Sequence, residues 1–147
     1  MLFRSVIDPI RVTLLLCDAA QEVGGKLYVL GGGWSVHRGT PVTMALAVRM
    51  EVPWDEANAP HACAARLVTE DGRDPVLPTP EGALAPTPIG SEWQMEVGRP
   101  PGVRPGTLLG VPLVVSVPPL PLAPGGYEWH VTVDGAVRGH VGFTVTD

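Results

Sequence analysis

His130 and His140 sit in stretches where apolar and polar residues alternate. Successive side chains on a β-strand point to opposite faces. Trp129 and Val131 therefore face away from Glu128 and His130, and Val141 and Phe143 face away from His140. Between them lies Asp134-Gly135, a hairpin-turn signal. A three-residue loop, Asp134-Gly135-Ala136, sets His130 opposite His140. A two-residue turn needs a bulge, near Gly139, to keep Val141 inward. In either register two imidazoles and the Glu128 carboxylate share one outward face. Two histidines and a carboxylate are a donor set for zinc or ferrous iron, and through it for a metal-dependent hydrolase. The competing reading is a solvated cross-strand pair. The sequence assigns no metal ligand, no cofactor and no catalytic residue, and the expectation is a non-enzyme.

Other chemistry-bearing residues fit known motifs poorly. Gly24-Gly25-Lys26 is followed by Leu27, where a phosphate-binding P-loop needs Ser or Thr. Gly31-Gly32-Gly33 is followed by Val36 at the third glycine position of the dinucleotide fingerprint, and no helical pattern follows to receive an anion. Both clusters read as a turn and a glycine bulge between strands. No serine stands in a Gly-x-Ser-x-Gly elbow. His61-Ala62-Cys63 places two ligand types on one strand face, a weaker set than the first. Glu70-Asp71-Gly72-Arg73-Asp74 lacks the alternating aspartates of a calcium loop. Trp34, Trp93 and Trp129 share the parity of core residues. Trp54 does not, and is the aromatic expected to be exposed for contact with a small ligand or carbohydrate.

The elements that position these residues are strands. Val42, Met44, Leu46, Val48, Met50 and Val52 alternate strictly with Thr43, Ala45, Ala47, Arg49 and Glu51. That period belongs to a half-buried strand; a helix would scatter the same residues around its circumference. Period two recurs from Ile10 to Cys17, Ile89 to Val97, Leu109 to Val117, Tyr127 to Val133 and Val141 to Val145. Shorter candidates are 26–30, 34–37 and 63–70. Turn signals at Gly24-Gly25, Asp71-Gly72, Gly125-Gly126 and Asp134-Gly135 separate them. One short helix is expected at 53–58, where Pro53 precedes Trp54-Asp55-Glu56 and Pro60 ends it. The proline-rich segment 74–88 and the segment 99–106 read as surface loops. The predicted architecture is all-β: one domain, 1–147, forming an antiparallel two-sheet sandwich with an immunoglobulin-like Greek key.

Composition bounds the rest. Of 147 residues, 45% are hydrophobic, enough for a packed core despite 18 glycines and 17 prolines. The formal charge of −5, with Lys26 the one lysine, excludes nucleic acid as an expected partner. No apolar run approaches the roughly 18 residues of a membrane span, and no membrane partner is expected. Leu14-Leu15-Leu16-Cys17 superficially resembles a lipoprotein cleavage site, but bulky Leu16 stands where a small residue belongs. Cys17 and Cys63 are too few for a disulfide-dependent scaffold and are expected as free thiols in the cytoplasm.

Two segments carry a wider likeness. Leu15-Leu16-Cys17-Asp18-Ala19-Ala20-Gln21 is followed by Gly25-Lys26-Leu27-Tyr28-Val29-Leu30-Gly31-Gly32-Gly33-Trp34. Together with Val52-Pro53-Trp54 and Gly126-Tyr127-Glu128-Trp129, they resemble the signature of an uncharacterised bacterial family of small β-sandwich proteins. The resemblance implies the sandwich fold and no activity.

One strand pattern points to a partner. Leu15 and Cys17, and Leu108 and Val114, hold the outward parity of their strands, where a lone sandwich shows polar residues. Such a face needs a cover, either segment 118–124 folding back or a second subunit. The expectation is a binding or assembly module that forms a homodimer through Leu15, Leu108 and Val114, with a further, unidentified protein partner possible.

Overall fold

The computed structural model describes residues 9–147 and is built almost wholly from strands. In chain order they are β1 (Arg11–Cys17), β2 (Ala19–Val23), β3 (Lys26–Leu30), β4 (Val36–Arg38), β5 (Val42–Val52), β6 (His61–Thr69), β7 (Val76–Pro78), β8 (Leu84–Pro86), β9 (Gly90–Met95), β10 (Leu109–Leu120), β11 (Gly125–Val133) and β12 (Ala136–Thr146). A single 3-10 turn at Trp54–Glu56 takes the place of the expected short helix.

The strict alternation at 42–52 makes β5 the centre of a three-stranded antiparallel sheet, β1-β5-β10. Facing it is a five-stranded sheet, β4-β12-β11-β6-β9, antiparallel except where β4 joins β12. Met44, Leu46, Val48 and Met50 from one sheet and Leu67, Trp129, Val131 and Phe143 from the other form the buried core between them. Burying each large apolar side chain contributes roughly 1.5–3 kcal/mol. The fold is the expected all-β sandwich of two facing, mainly antiparallel sheets.

The pattern left three strands undetected. β2 is short and mixes Ala19 and Ala20 with Gln21 and Glu22, so no apolar period stands out. β7 and β8 lie in the proline-rich segment read as a loop; they pair as a small hairpin that buries Leu77.

β2 and β3 pair only with each other and fold across the outside of the three-stranded sheet. Ala20, Leu27 and Val29 on the hairpin's underside pack on Cys17, Ala45, Ala47 and Val114. This corrects the expectation for the apolar outer face. Over Cys17, Ala45, Ala47 and Val114 the cover is the chain between β1 and β5, not segment 118–124. Val114, expected at an interface, is half-buried beneath that hairpin.

The hairpin depends on its glycines. Gly24 and Gly25 make the turn with φ of 59° and 79°, values that glycine adopts without steric cost. Gly31 has φ of 60°, and a Cβ there would overlap the Asp18 carboxylate. Gly32 has an ordinary φ, but its Cβ would lie 2.9 Å from both Leu15 Cδ2 and Val29 Cγ1. Gly31→Val should therefore lower stability by about 1–3 kcal/mol, and more than Gly32→Ala. Urea denaturation checks this, and equal midpoints for the two variants would contradict the order.

The two long sides of the sandwich differ. A Cβ on Gly139 of β12 would come within 3.0 Å of Val12 Cγ1 on β1, so glycine lets the sheets close on that side. On the other side β9 and β10 are both unpaired sheet edges, flanked by the β7–β8 hairpin.

Candidate functional site

The β11–β12 hairpin turns through Asp134-Gly135, pairs Val133 with Ala136, and returns to register across a bulge at Arg138. The bulge restores the parity that a two-residue turn would have reversed, and His130 pairs directly with His140. His130 Nε2–H donates to Glu128 Oε1 at 2.7 Å, and His140 Nδ1 lies 3.6 Å from the same oxygen. The three side chains thus meet on the outer face of the five-stranded sheet.

Glu128 and His130 border a groove of about 520 Å³ that runs along β11 and β12. Gly126 and Gly142 leave its floor bare, and the Glu70 carboxylate lies where a Cβ on Gly126 would stand. Ser35 and Thr144 add hydroxyl groups to its wall. Among the described residues no group of three His, Cys, Asp or Glu is arranged to hold a metal ion. Glu128, His130 and His140 thus form a hydrogen-bonded cross-strand cluster.

The most tightly held histidine is a different one, His61 at the start of β6. It is 3% exposed. Its Nδ1 lies 2.7 Å from Asp134 Oδ2, and its Nε2 lies 2.8 Å from the Glu56 carbonyl oxygen. Asp134 also accepts from the Ala62 amide through Oδ1 and donates its own amide to the Ala62 carbonyl. His61 thus ties the 3-10 turn, β6 and the β11–β12 turn together. Both of its partners are acceptors, so only the imidazolium, with two N–H groups, satisfies both. Burial alone would depress the His61 pKa, but the hydrogen bonds its ring donates to the Asp134 carboxylate and the Glu56 carbonyl, with the negative charges of Asp134 and Glu56, outweigh it and raise it. The His61 hydrogen bond, foremost, holds the Asp134 pKa below the usual carboxylate value.

A pH dependence follows. A raised histidine pKa gives stability that is fully present below the unfolded value of about 6.5 and is lost as pH rises through the folded value. A lowered aspartate pKa gives stability that is present above about 3.8 and is lost as pH falls through the folded value. The clasp is therefore strongest between about pH 4 and 6.5. The denaturation midpoint should fall as pH rises from 6 to 9. Asp134→Asn keeps an acceptor for the Ala62 amide and tolerates the positive φ of 51°, and should flatten that profile. An equally steep fall in the variant would place the dependence elsewhere. The sequence offered half of this signal: Asp134-Gly135 is a legible turn, but nothing near His61 names a partner 73 residues away.

Trp54 is not the exposed platform expected. It packs against the core, Arg99 lies over its ring at 4.6 Å, and the Arg99 guanidinium donates to the Trp54 carbonyl. That cation–π contact occupies a face a sugar would need. Trp129 is buried, and Trp34 and Trp93 pack against the core, as their parity required. Cys17 and Cys63 are free, buried thiols, and burial raises the pKa of both. Leu15 and Leu108 remain exposed, on either side of the three-stranded sheet.

The outer face of the β2–β3 hairpin exposes three large apolar side chains. The register places Ala19 beside Leu30, Gln21 beside Tyr28 and Val23 beside Lys26, all on the side away from the sheet. Leu30 is 71% exposed, and Tyr28 and Val23 are each 56% exposed. These residues form a two-stranded apolar ribbon with one positive charge at its tip.

Residues 12–146 match a family described as a family of unknown function, DUF6941. The chain belongs to DUF6941. The expected likeness to an uncharacterised family is thereby met, and no curated protein matches the DUF6941 chain. Among solved structures, it is similar to an alkylpurine DNA glycosylase, AlkC, of Pseudomonas fluorescens, bound to DNA containing an abasic site analogue. The TM-score is 0.47 at 12% identity, over 94% of this chain and 30% of that one. It is also similar to an immunoglobulin-like protein from Pseudomonas aeruginosa, with a TM-score of 0.39 at 11% identity, over 95% of this chain and 94% of that one. No helix among the described residues of the DUF6941 chain is long and apolar enough to cross a membrane.

Proposed function

We propose that this DUF6941 protein is a non-catalytic binding module that self-associates through the outer face of its β2–β3 hairpin. The exposed ribbon of Val23, Tyr28 and Leu30 carries the reading. A contiguous apolar face of this kind is unusual on a lone soluble domain and marks an interaction surface. The occupant is a second copy. An antiparallel ribbon stacked on its twin about a two-fold axis sets Leu30 of one chain over Val23 of the other, with the Tyr28 rings between them, and closed two-fold pairing is the commonest assembly. Face-to-face stacking is also favoured over strand addition at β10. Pro112, Pro118 and Pro119 remove backbone donors from that strand. Two buried free thiols support a reducing compartment, the cytoplasm.

Light scattering behind size exclusion should give about twice the 15.5 kDa monomer mass at tens of micromolar. A dimer of ordinary strength buries on the order of 1,600 Å². Leu30→Glu should return it to a monomer with an unchanged denaturation midpoint, because Leu30 supports no core. A monomeric parent chain, or a dimer indifferent to Leu30→Glu and Tyr28→Ser, would overturn the proposal.

A further inference from the structure

The chain crosses from β5 to β6 between Val52 and His61, by way of the 3-10 turn at Trp54–Glu56. Both ends of this link are tied to the segment that follows β9. At its start the Arg99 guanidinium donates to the Trp54 carbonyl and lies over the Trp54 ring. At its end the Asn58 amide donates to the Val97 carbonyl. Between these ties, the hydrogen bond that joins the link to β6 runs from His61 Nε2 to the Glu56 carbonyl, at 2.8 Å.

The buried His61 ring has an acceptor at each nitrogen. Asp134 Oδ2, from the β11–β12 turn, lies 2.7 Å from Nδ1, and Glu56 Oε2 lies 3.7 Å from Nε2 beyond the carbonyl. Met95 of β9 is the cross-strand partner of His61 and carries no charge. On β6 itself the Cys63 thiol is kept neutral by burial, and Arg138 of β12 acts on Asp134. A ring that loses one proton keeps a single N–H. The carboxylate is the stronger acceptor, so that N–H stays at Nδ1. Nε2 then turns a lone pair toward the lone pairs of the Glu56 carbonyl, with no hydrogen between them.

We propose that His61 is a pH-operated latch on the β5–β6 link: the doubly protonated ring holds the Glu56 carbonyl, and the singly protonated ring releases it while keeping Asp134. Release lets Glu56 and Ala57 lift from the strands while Arg99 and Val97 still hold Trp54 and Asn58. The reverse order would give up a charge-assisted bond and disturb the carboxylate that also accepts from the Ala62 amide. The latch is closed below the pH at which His61 loses its proton and open above it. That pH lies above about 6.5, because the two acceptors favour the charged ring. The latch does not involve the β2–β3 ribbon and does not depend on the proposed dimer.

Amide exchange of the full chain, followed by NMR from pH 5.5 to 9 and corrected for the intrinsic rate at each pH, tests the order of release. The Glu56 and Ala57 amides donate to the Pro53 and Trp54 carbonyls, and the Asp134 amide donates to the Ala62 carbonyl. Through the His61 titration, read from its ring protons, Glu56 and Ala57 should lose at least about tenfold more protection than Ala62 and Asp134. Asp134→Asn should move the midpoint of that loss at least about one pH unit lower, since it removes the charge that favours the imidazolium. His61→Gln, which does not titrate, should leave the ratio of the two pairs constant with pH, and so decides the matter if Asp134→Asn folds poorly. Equal losses in both pairs, a His61 midpoint below 6.5, or a midpoint that Asp134→Asn leaves in place would overturn the proposal.

Discussion

Trp129→Ala should lower the stability of the chain by about 3–5 kcal/mol, the range for deleting a large aromatic side chain from a packed core. Trp129 is among the largest fully buried side chains and lies on β11, the middle strand of the five-stranded sheet. Its removal leaves a void that joins a cleft between the β9 and β10 edges, whose wall it forms. Water can then enter from the β9–β10 side, which holds the loss short of what a sealed cavity of that size would produce. Trp129→Phe keeps most of the apolar contact and also removes the indole N–H, which is buried without an acceptor. It should cost less than about 2 kcal/mol, since deleting a buried donor that has no partner relieves a penalty. Guanidinium denaturation separates the two. Equal losses for the two variants would mean that the indole N–H contributes to stability rather than costing it.

The second large effect concerns backbone rather than side chain. Gly90 opens β9 opposite Arg66, and a Cβ there would overlap the Ala65 carbonyl oxygen. Ala65 sits within β6, which is pinned between β11 and β9, so the carbonyl cannot withdraw without breaking pairs on both sides. Gly90→Ala should therefore push the start of β9 away from β6 and cost about 2–4 kcal/mol, well above the usual surface substitution. The neighbouring exposed Ser91→Ala should change stability by less than about 0.5 kcal/mol. Hydrogen exchange adds a local readout: the β9 amides that pair with Cys63 and Ala65 should exchange faster in Gly90→Ala while those of β5 do not. A midpoint like that of the parent chain would show that β9 shifts outward freely.

The elements most legible in the sequence are those whose burial is one-sided and long. The run from Val42 to Val52 could only be a strand, and Trp129, Val131, Val141 and Phe143 fixed the outward parity that brings Glu128, His130 and His140 together. The bulge beside Gly139 was legible as what a two-residue turn requires, with the three-residue loop as the open alternative. β7 and β8, three residues each and interrupted by prolines, are too short for any period to register. The outward apolar residues Leu15, Cys17, Leu108 and Val114 implied a cover, but periodicity along a strand carries no information about which segment supplies it. His61 was read only as a ligand type beside Cys63, for a similar reason: its partners, Glu56 and Asp134, meet it only after β6 pairs with β11. The unpaired indole N–H of Trp129 was equally invisible, because core parity places a tryptophan but says nothing of where its N–H ends.

Cys17 pairs with Ala45, so β1 and β5 are neighbours although the whole β2–β4 stretch lies between them. The β2–β3 hairpin is thus an excursion that leaves the sandwich and returns to almost the same place. Only its underside, Ala20, Leu27 and Val29, is committed to the rest of the chain. The opposite side is free to vary by substitution or lengthening without disturbing β1–β5 pairing. On the dimer proposed above, relatives could diverge in pairing on this ribbon while the scaffold below stays constant, and grafting the 19–30 segment from one member onto another should then transfer pairing preference intact.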